Sequence, residues 1–137
     1  MKPTNIEHIG IAVRSLEESI RLYEAILGLK CQKIEEVSDQ KVRTAFFKIG
    51  TTKIELLEST DPEGPISRFI EKRGEGLHHI AFKVNSLKDK LSATKNAGIR
   101  LIDEEPSPGA DGLNIAFLHP ASASGVLIEF CENRENR

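Results

Sequence analysis

Two short stretches of this chain share one pattern: His8-Ile9-Gly10-Ile11-Ala12-Val13 and His79-Ile80-Ala81-Phe82-Lys83-Val84. Each sets a histidine at the head of an alternating apolar run, and alternation of period two marks a half-buried strand. In the first, Ile9, Ile11 and Val13 share a face, which leaves His8, Gly10 and Ala12 on the other. In the second, Ile80, Phe82 and Val84 oppose His79, Ala81 and Lys83. Each histidine therefore lies away from the bulky side chains and beside a small residue, where room remains. Downstream, Lys53-Ile54-Glu55-Leu56 is matched by Leu127-Ile128-Glu129-Phe130. The histidines are 71 positions apart and the glutamates 74, so the chain reads as two copies of one module, the second lengthened by a three-residue loop insertion.

The segments between repeat as well. Ser15, with Glu18 three residues on, has the form of a capping box. Leu16, Ile20, Tyr23 and Leu27 follow at helical spacing, and Gly28 stops the helix. In the second copy Ser86 caps, Leu87, Leu91 and Thr94 share a face, and Gly98 ends the helix. Strands are expected at 29–37, 42–49 and 52–58 in the first copy, and at 99–102, 113–118 and 126–131 in the second. A turn and short helix around Ile66, Phe69 and Ile70 bridge the copies. The Gly/Pro/Ser-rich stretch 106–112 is expected to be a loop, either a lid or simply mobile. The order is βαβββ twice: module one at about 5–60, a linker at 61–75 and module two at about 76–132, within a single domain covering 1–137. One module cannot bury both faces of its sheet, so the two are expected to pair as an open mixed β-sheet barrel of the α+β class around a cleft.

Composition narrows the function. A formal net charge of −2 and a mildly acidic pI give no basic surface for nucleic acid. No apolar run approaches the ~20 residues of a membrane span, and no signal peptide is visible, so a cytoplasmic protein is expected. Cys31 and Cys131 make no disulfide framework. The run Arg134 to Arg137 reads as a solvated tail.

His8, Glu55, His79 and Glu129 would all project into the cleft. A buried carboxylate needs a partner, and a divalent cation satisfies all four groups. Imidazole nitrogen with carboxylate oxygen suits Zn, Mn, Fe, Co or Ni. The absence of thiolates speaks against a structural zinc site, and four ligands leave positions open for water or substrate. His78, on the opposite face from His79, is expected to pack locally, and His119, ahead of Pro120, to have a structural role in a turn.

Taken together, Ile6 to Val13, Thr52 to Leu57, the segment Gly76-Leu77-His78-His79-Ile80-Ala81-Phe82, Phe117-Leu118-His119-Pro120 and Gly125 to Glu129 resemble the vicinal oxygen chelate (glyoxalase/bleomycin resistance/dioxygenase) superfamily. Within it they are most similar to the methylmalonyl-CoA epimerase family. The resemblance covers about 5–132. It implies a glyoxalase-like fold, metal ligands at His8, Glu55, His79 and Glu129, and a divalent ion, Co²⁺ or Mn²⁺ first, with Zn²⁺, Ni²⁺ or Mg²⁺ as other choices. It also implies epimerisation of an acyl-CoA substrate through an enolate and a homodimer, with no nucleic-acid or membrane partner. Glu129 is then the expected catalytic base. A second base found on the preceding strand in some members falls here on Thr44, which cannot take a proton. Lys53 and Lys83 alternate onto the cleft face, either to bind the substrate's negative charges or simply to carry their amines to solvent. The alternatives are a glyoxalase I (lactoylglutathione lyase) activity and a non-enzymatic small-molecule binding module of the same fold.

Overall fold

A computed structural model describes residues 1–134. The expectation for the tail at Glu135, Asn136 and Arg137 lies outside the described residues. Arg134 is inside them and is not simply solvated: its backbone N–H donates to Gly112 O, and its guanidinium donates to the carbonyls of Gly109 and Leu113.

The fold is of the α+β class. In chain order the elements are β1 (Asn5–Ala12), α1 (Leu16–Leu27), β2 (Lys33–Val37), β3 (Val42–Ile49), β4 (Thr52–Ser59), α2 (Pro65–Arg73), β5 (Gly76–Lys83), α3 (Leu87–Asn96), β6 (Ser107–Pro108), β7 (Leu113–Phe117) and β8 (Ile128–Asn133). Both βαβββ repeats are therefore present. The compact units divide differently. One combines Met1–His8 with the chain from His79 onward, and the other is Ile9–His78, so the boundary cuts β1 between its histidine and the residue after it.

In the unit holding His79 the strands run β1-β5-β8-β7-β6. β8 pairs parallel with β5, placing Ala81 beside Glu129, and antiparallel with β7, placing Phe117 beside Glu129. One face of this sheet packs on α3 through Val84, Leu87, Leu91, Ala116, Leu118 and Phe130. The opposite face carries His79, Ala81, Phe117, Glu129 and Cys131, because side chains alternate along each strand.

In the unit Ile9–His78 the order is β2-β3-β4-β1, with β2, β3 and β4 antiparallel. Ala45, Phe47 and Leu56 meet Val13 and Leu16, with Ile20, Tyr23 and Leu27 of α1 closing over them. Glu55, opposite Phe46, and Leu57, opposite Thr44, share the other face.

The helices begin as their sequences predict. Ser15 Oγ accepts the Glu18 N–H and Ser86 Oγ the Asp89 N–H. Gly28 ends α1 at φ 68°, a left-handed conformation that suits glycine. A second device is shared by both repeats. A carboxylate from the last long strand reaches the first residue of the helix: Glu58 Oε2 accepts Leu16 N–H at 3.1 Å, and Glu132 Oε1 accepts Leu87 N–H at 3.0 Å.

Three strand expectations need correction, the simplest being the last strand, which runs Ile128–Asn133 rather than 126–131. β2 starts at Lys33 rather than Leu29, because the chain after Gly28 first folds back on α1, where Glu24 accepts the Cys31 N–H. The strand expected at Ile99–Ile102 reduces to one bridge, Leu101 with Leu118. There the Asp103 carboxylate takes the Phe117 N–H, while Phe117 O accepts from both Ile102 and Asp103, so a side chain replaces a rung of the ladder. The sixth strand falls instead inside the expected loop, as Ser107–Pro108 paired with β7. The rest of that loop is laid against β7, and Gly109 sits so close that a Cβ would stand 2.7 Å from Ile115 Cγ2.

Candidate metal centre

His8, His79 and Glu129 converge. His8 leaves β1, His79 leaves β5 two residues before Ala81, and Glu129 leaves β8 beside Ala81. The small Ala81 leaves space between the larger side chains. His8 Nε2 and His79 Nε2 are 3.0 Å apart, His79 Nε2 is 3.3 Å from Glu129 Oε1, and His8 Nε2 is 3.5 Å from Glu129 Oε2. All three residues are buried, none more than 6% exposed. The imidazoles meet edge to face, and the Phe117 ring meets His79 edge to face at 5.5 Å.

The donor set fits a cation. Two ring nitrogens and a carboxylate lie close together, and among the described residues the buried Glu129 Oε2 has no hydrogen-bond partner. Such an oxygen inside a protein costs free energy unless an ion or a proton satisfies it. Donors about 2.1 Å from one ion and at right angles to each other stand about 3.0 Å apart, close to the separations found here. The cluster also sets the charge of Glu129. Burial alone would raise its pKa, but when His8 is protonated its charge, with the hydrogen bond from His79, reverses that and holds it at about 2.

Behind His8 stands a residue the alternation argument passed over. Glu7 Oε1 lies 2.6 Å from His8 Nδ1, and Glu7 is itself 8% exposed. Alternation would send neighbouring side chains to opposite faces, so strand pattern alone gives no reason to link them. The one available sign was an acidic residue next to a candidate ligand.

Glu55, Lys53 and Thr44 belong to the other unit. Glu55 and Thr44 are buried on β4 and β3. Lys53 is buried too, its Nζ 5.4 Å from the centre of the Phe46 ring, a cation–π arrangement. Lys83 is half-buried at the end of β5. His78 packs edge to face on Phe69 at 4.9 Å, and His119 Nδ1 accepts the Ala121 N–H, so both have the local roles expected of them. Among the described residues no helix is long and apolar enough to cross a membrane.

Comparison with known proteins adds to this geometry. The sequence model of the Glyoxalase/Bleomycin resistance protein/Dioxygenase superfamily matches residues 7–117. An uncharacterized protein of Bacillus subtilis, YqjC, is 46% identical over 127 residues, 93% of this chain and 91% of its own. The ethylmalonyl-CoA/methylmalonyl-CoA epimerase of Cereibacter sphaeroides is 35% identical over 126 residues, 90% of this chain and 94% of its own. The structure of Streptomyces coelicolor methylmalonyl-CoA epimerase in complex with 2-nitronate-propionyl-CoA superposes with a TM-score of 0.93 at 34% identity, covering 98% of this chain and 97% of that one. With its paired histidine strands and the family match over most of its length, the chain belongs to the Glyoxalase/Bleomycin resistance protein/Dioxygenase superfamily.

Proposed function

We propose that this chain is a metal-dependent epimerase of methylmalonyl-CoA, interconverting its R and S forms by removing and returning the proton of the carbon between thioester and carboxylate. The observation that carries the reading is the buried cluster of His8, His79 and Glu129, and the full-length likeness to epimerases of methylmalonyl-CoA supports it. His8, His79 and Glu129 would hold a divalent ion. The repeat assigns Glu55 to the same ligand set by sequence position, since it holds in module one the place of Glu129 in module two. Bound there, the ion supplies positive charge to substrate oxygens that gain negative charge as the α-proton leaves.

The side chains do the rest. Glu129, the carboxylate of this cluster, is the group to take the α-proton in its ionised form. The Phe117 ring packs on His79, and Ala81 beside Glu129 belongs to an apolar floor with Leu113, Ile115 and Cys131. Lys53 and Lys83 answer the substrate's carboxylate and phosphates. With Thr44 in place of a second acid, the proton on the other face comes from Glu55 or from water.

The test is α-proton exchange. The purified protein, loaded with Co²⁺ or Mn²⁺ in deuterated water, is expected to exchange the α-proton of methylmalonyl-CoA and to stop when a chelator is added. Metal-loaded protein that exchanges nothing would defeat the reading, and turnover of the methylglyoxal–glutathione adduct in its place would favour the lyase.

A further inference from the structure

We infer that Glu7 is a positioning residue for His8, setting which ring nitrogen faces the metal centre. The inference rests on the proposed metal reading of His8, His79 and Glu129. Glu7 Oε1 and His8 Nδ1 are 2.6 Å apart in a buried setting, a separation typical of a charge-assisted hydrogen bond. With the Glu7 oxygen as the acceptor in that contact, the ring hydrogen sits on Nδ1. A neutral imidazole with its hydrogen on Nδ1 carries its lone pair on Nε2, the nitrogen that faces His79 Nε2 at 3.0 Å and Glu129 Oε2 at 3.5 Å. Glu7 thereby aims a lone pair, and not a hydrogen, at the point where the donors meet. It also fixes the ring's rotation, as the carboxylate behind a ligating histidine does elsewhere. The Glu7 contact is made to His8, so loss of Glu7 falls on that ring.

Two readouts test this, neither of them activity. Nitrogen-15 NMR of the metal-free protein reads the His8 tautomer, and Co²⁺ titration followed by d–d absorption reads affinity. In the wild type the Nδ1–H form of His8 is expected. Glu7→Ala is expected to lose that form and to bind Co²⁺ about 10–100-fold more weakly. Glu7→Gln, whose side-chain carbonyl still accepts the Nδ1–H, is expected to keep the tautomer and recover most of the affinity. An Nε2–H tautomer in the wild type, or unchanged Co²⁺ affinity in Glu7→Ala, overturns the inference while leaving the metal reading in place. Wild-type protein that binds no Co²⁺ overturns the metal reading itself, and the role of Glu7 with it. Should Glu7→Ala fail to fold, the wild-type tautomer and the Glu7→Gln titration still decide the matter, since a Gln variant with the tautomer reversed also counts against it.

Discussion

The Glu132 carboxylate accepts the backbone N–H of Leu87 at 3.0 Å. That N–H is one of the donors a helix start leaves without an internal partner, and a negative charge there also suits the helix dipole. Glu58 does the same for Leu16 at 3.1 Å in the other repeat. Glu132→Ala and Glu58→Ala are each expected to cost about 0.5–2 kcal/mol, the range seen for lost caps, and Glu132→Gln, which still accepts, less. Urea unfolding measures this. Variants as stable as the wild type would show that water replaces the carboxylate at no cost.

Gly109 supplies a second test, of the loop laid on β7. A methyl group there would meet Ile115 Cγ2 at 2.7 Å, well inside contact distance. Ile115 is buried and cannot swing away freely. Gly109→Ala should therefore destabilise by about 1–3 kcal/mol, as overpacking does. Gly109→Ala combined with Ile115→Ala, which removes the Cγ2, Cγ1 and Cδ1 that the new methyl group would meet, should lose less than the sum of the two single variants. Strict additivity in thermal unfolding would mean that the two residues do not press on each other.

Much of this was legible in the sequence, for a physical reason. The βαβββ order and three converging side chains follow from periodicity, and periodicity survives folding because burial of one strand face enforces it. His8, His79 and Glu129 could be assigned to faces without coordinates, since each alternates against bulky apolar neighbours. What escaped was decided by side chains that bond to backbone or to each other. Asp103 displaced the strand expected at Ile99–Ile102. Glu24 delayed the start of β2. Glu7 reached a ring that alternation would place on the other side of its strand. None of these leaves a periodic trace, and each depends on chain segments brought together only by folding or on a local rotamer.

Acid should act on the metal-free protein through Glu129. Its pKa in the folded chain is about 2, against an ordinary value of 4.5, because His8 and His79 outweigh the effect of burial. A lowered folded pKa means the ionised carboxylate contributes stability that is fully present above pH 4.5 and is lost as the pH falls toward 2. Glu129→Gln has no such titration. The stability difference between chelator-treated wild type and Glu129→Gln, measured by urea unfolding, should therefore shrink steadily below pH 4.5. A difference constant with pH would place the carboxylate outside the influence of the imidazoles.

Glu129 is proposed both to hold the ion and to take the proton, and the two roles separate by experiment. His79→Ala removes a donor nitrogen but leaves the carboxylate, so it should weaken Co²⁺ binding while exchange of the methylmalonyl-CoA α-proton returns, at least in part, when Co²⁺ is raised to saturation. Glu129→Gln keeps an oxygen able to coordinate but takes no proton at neutral pH. Its exchange rate at saturating Co²⁺ should stay roughly 10²–10⁴-fold below the wild type, the span by which a general base usually contributes. If raising Co²⁺ restores Glu129→Gln to wild-type exchange, the carboxylate acts only as a ligand, and the base is a different group.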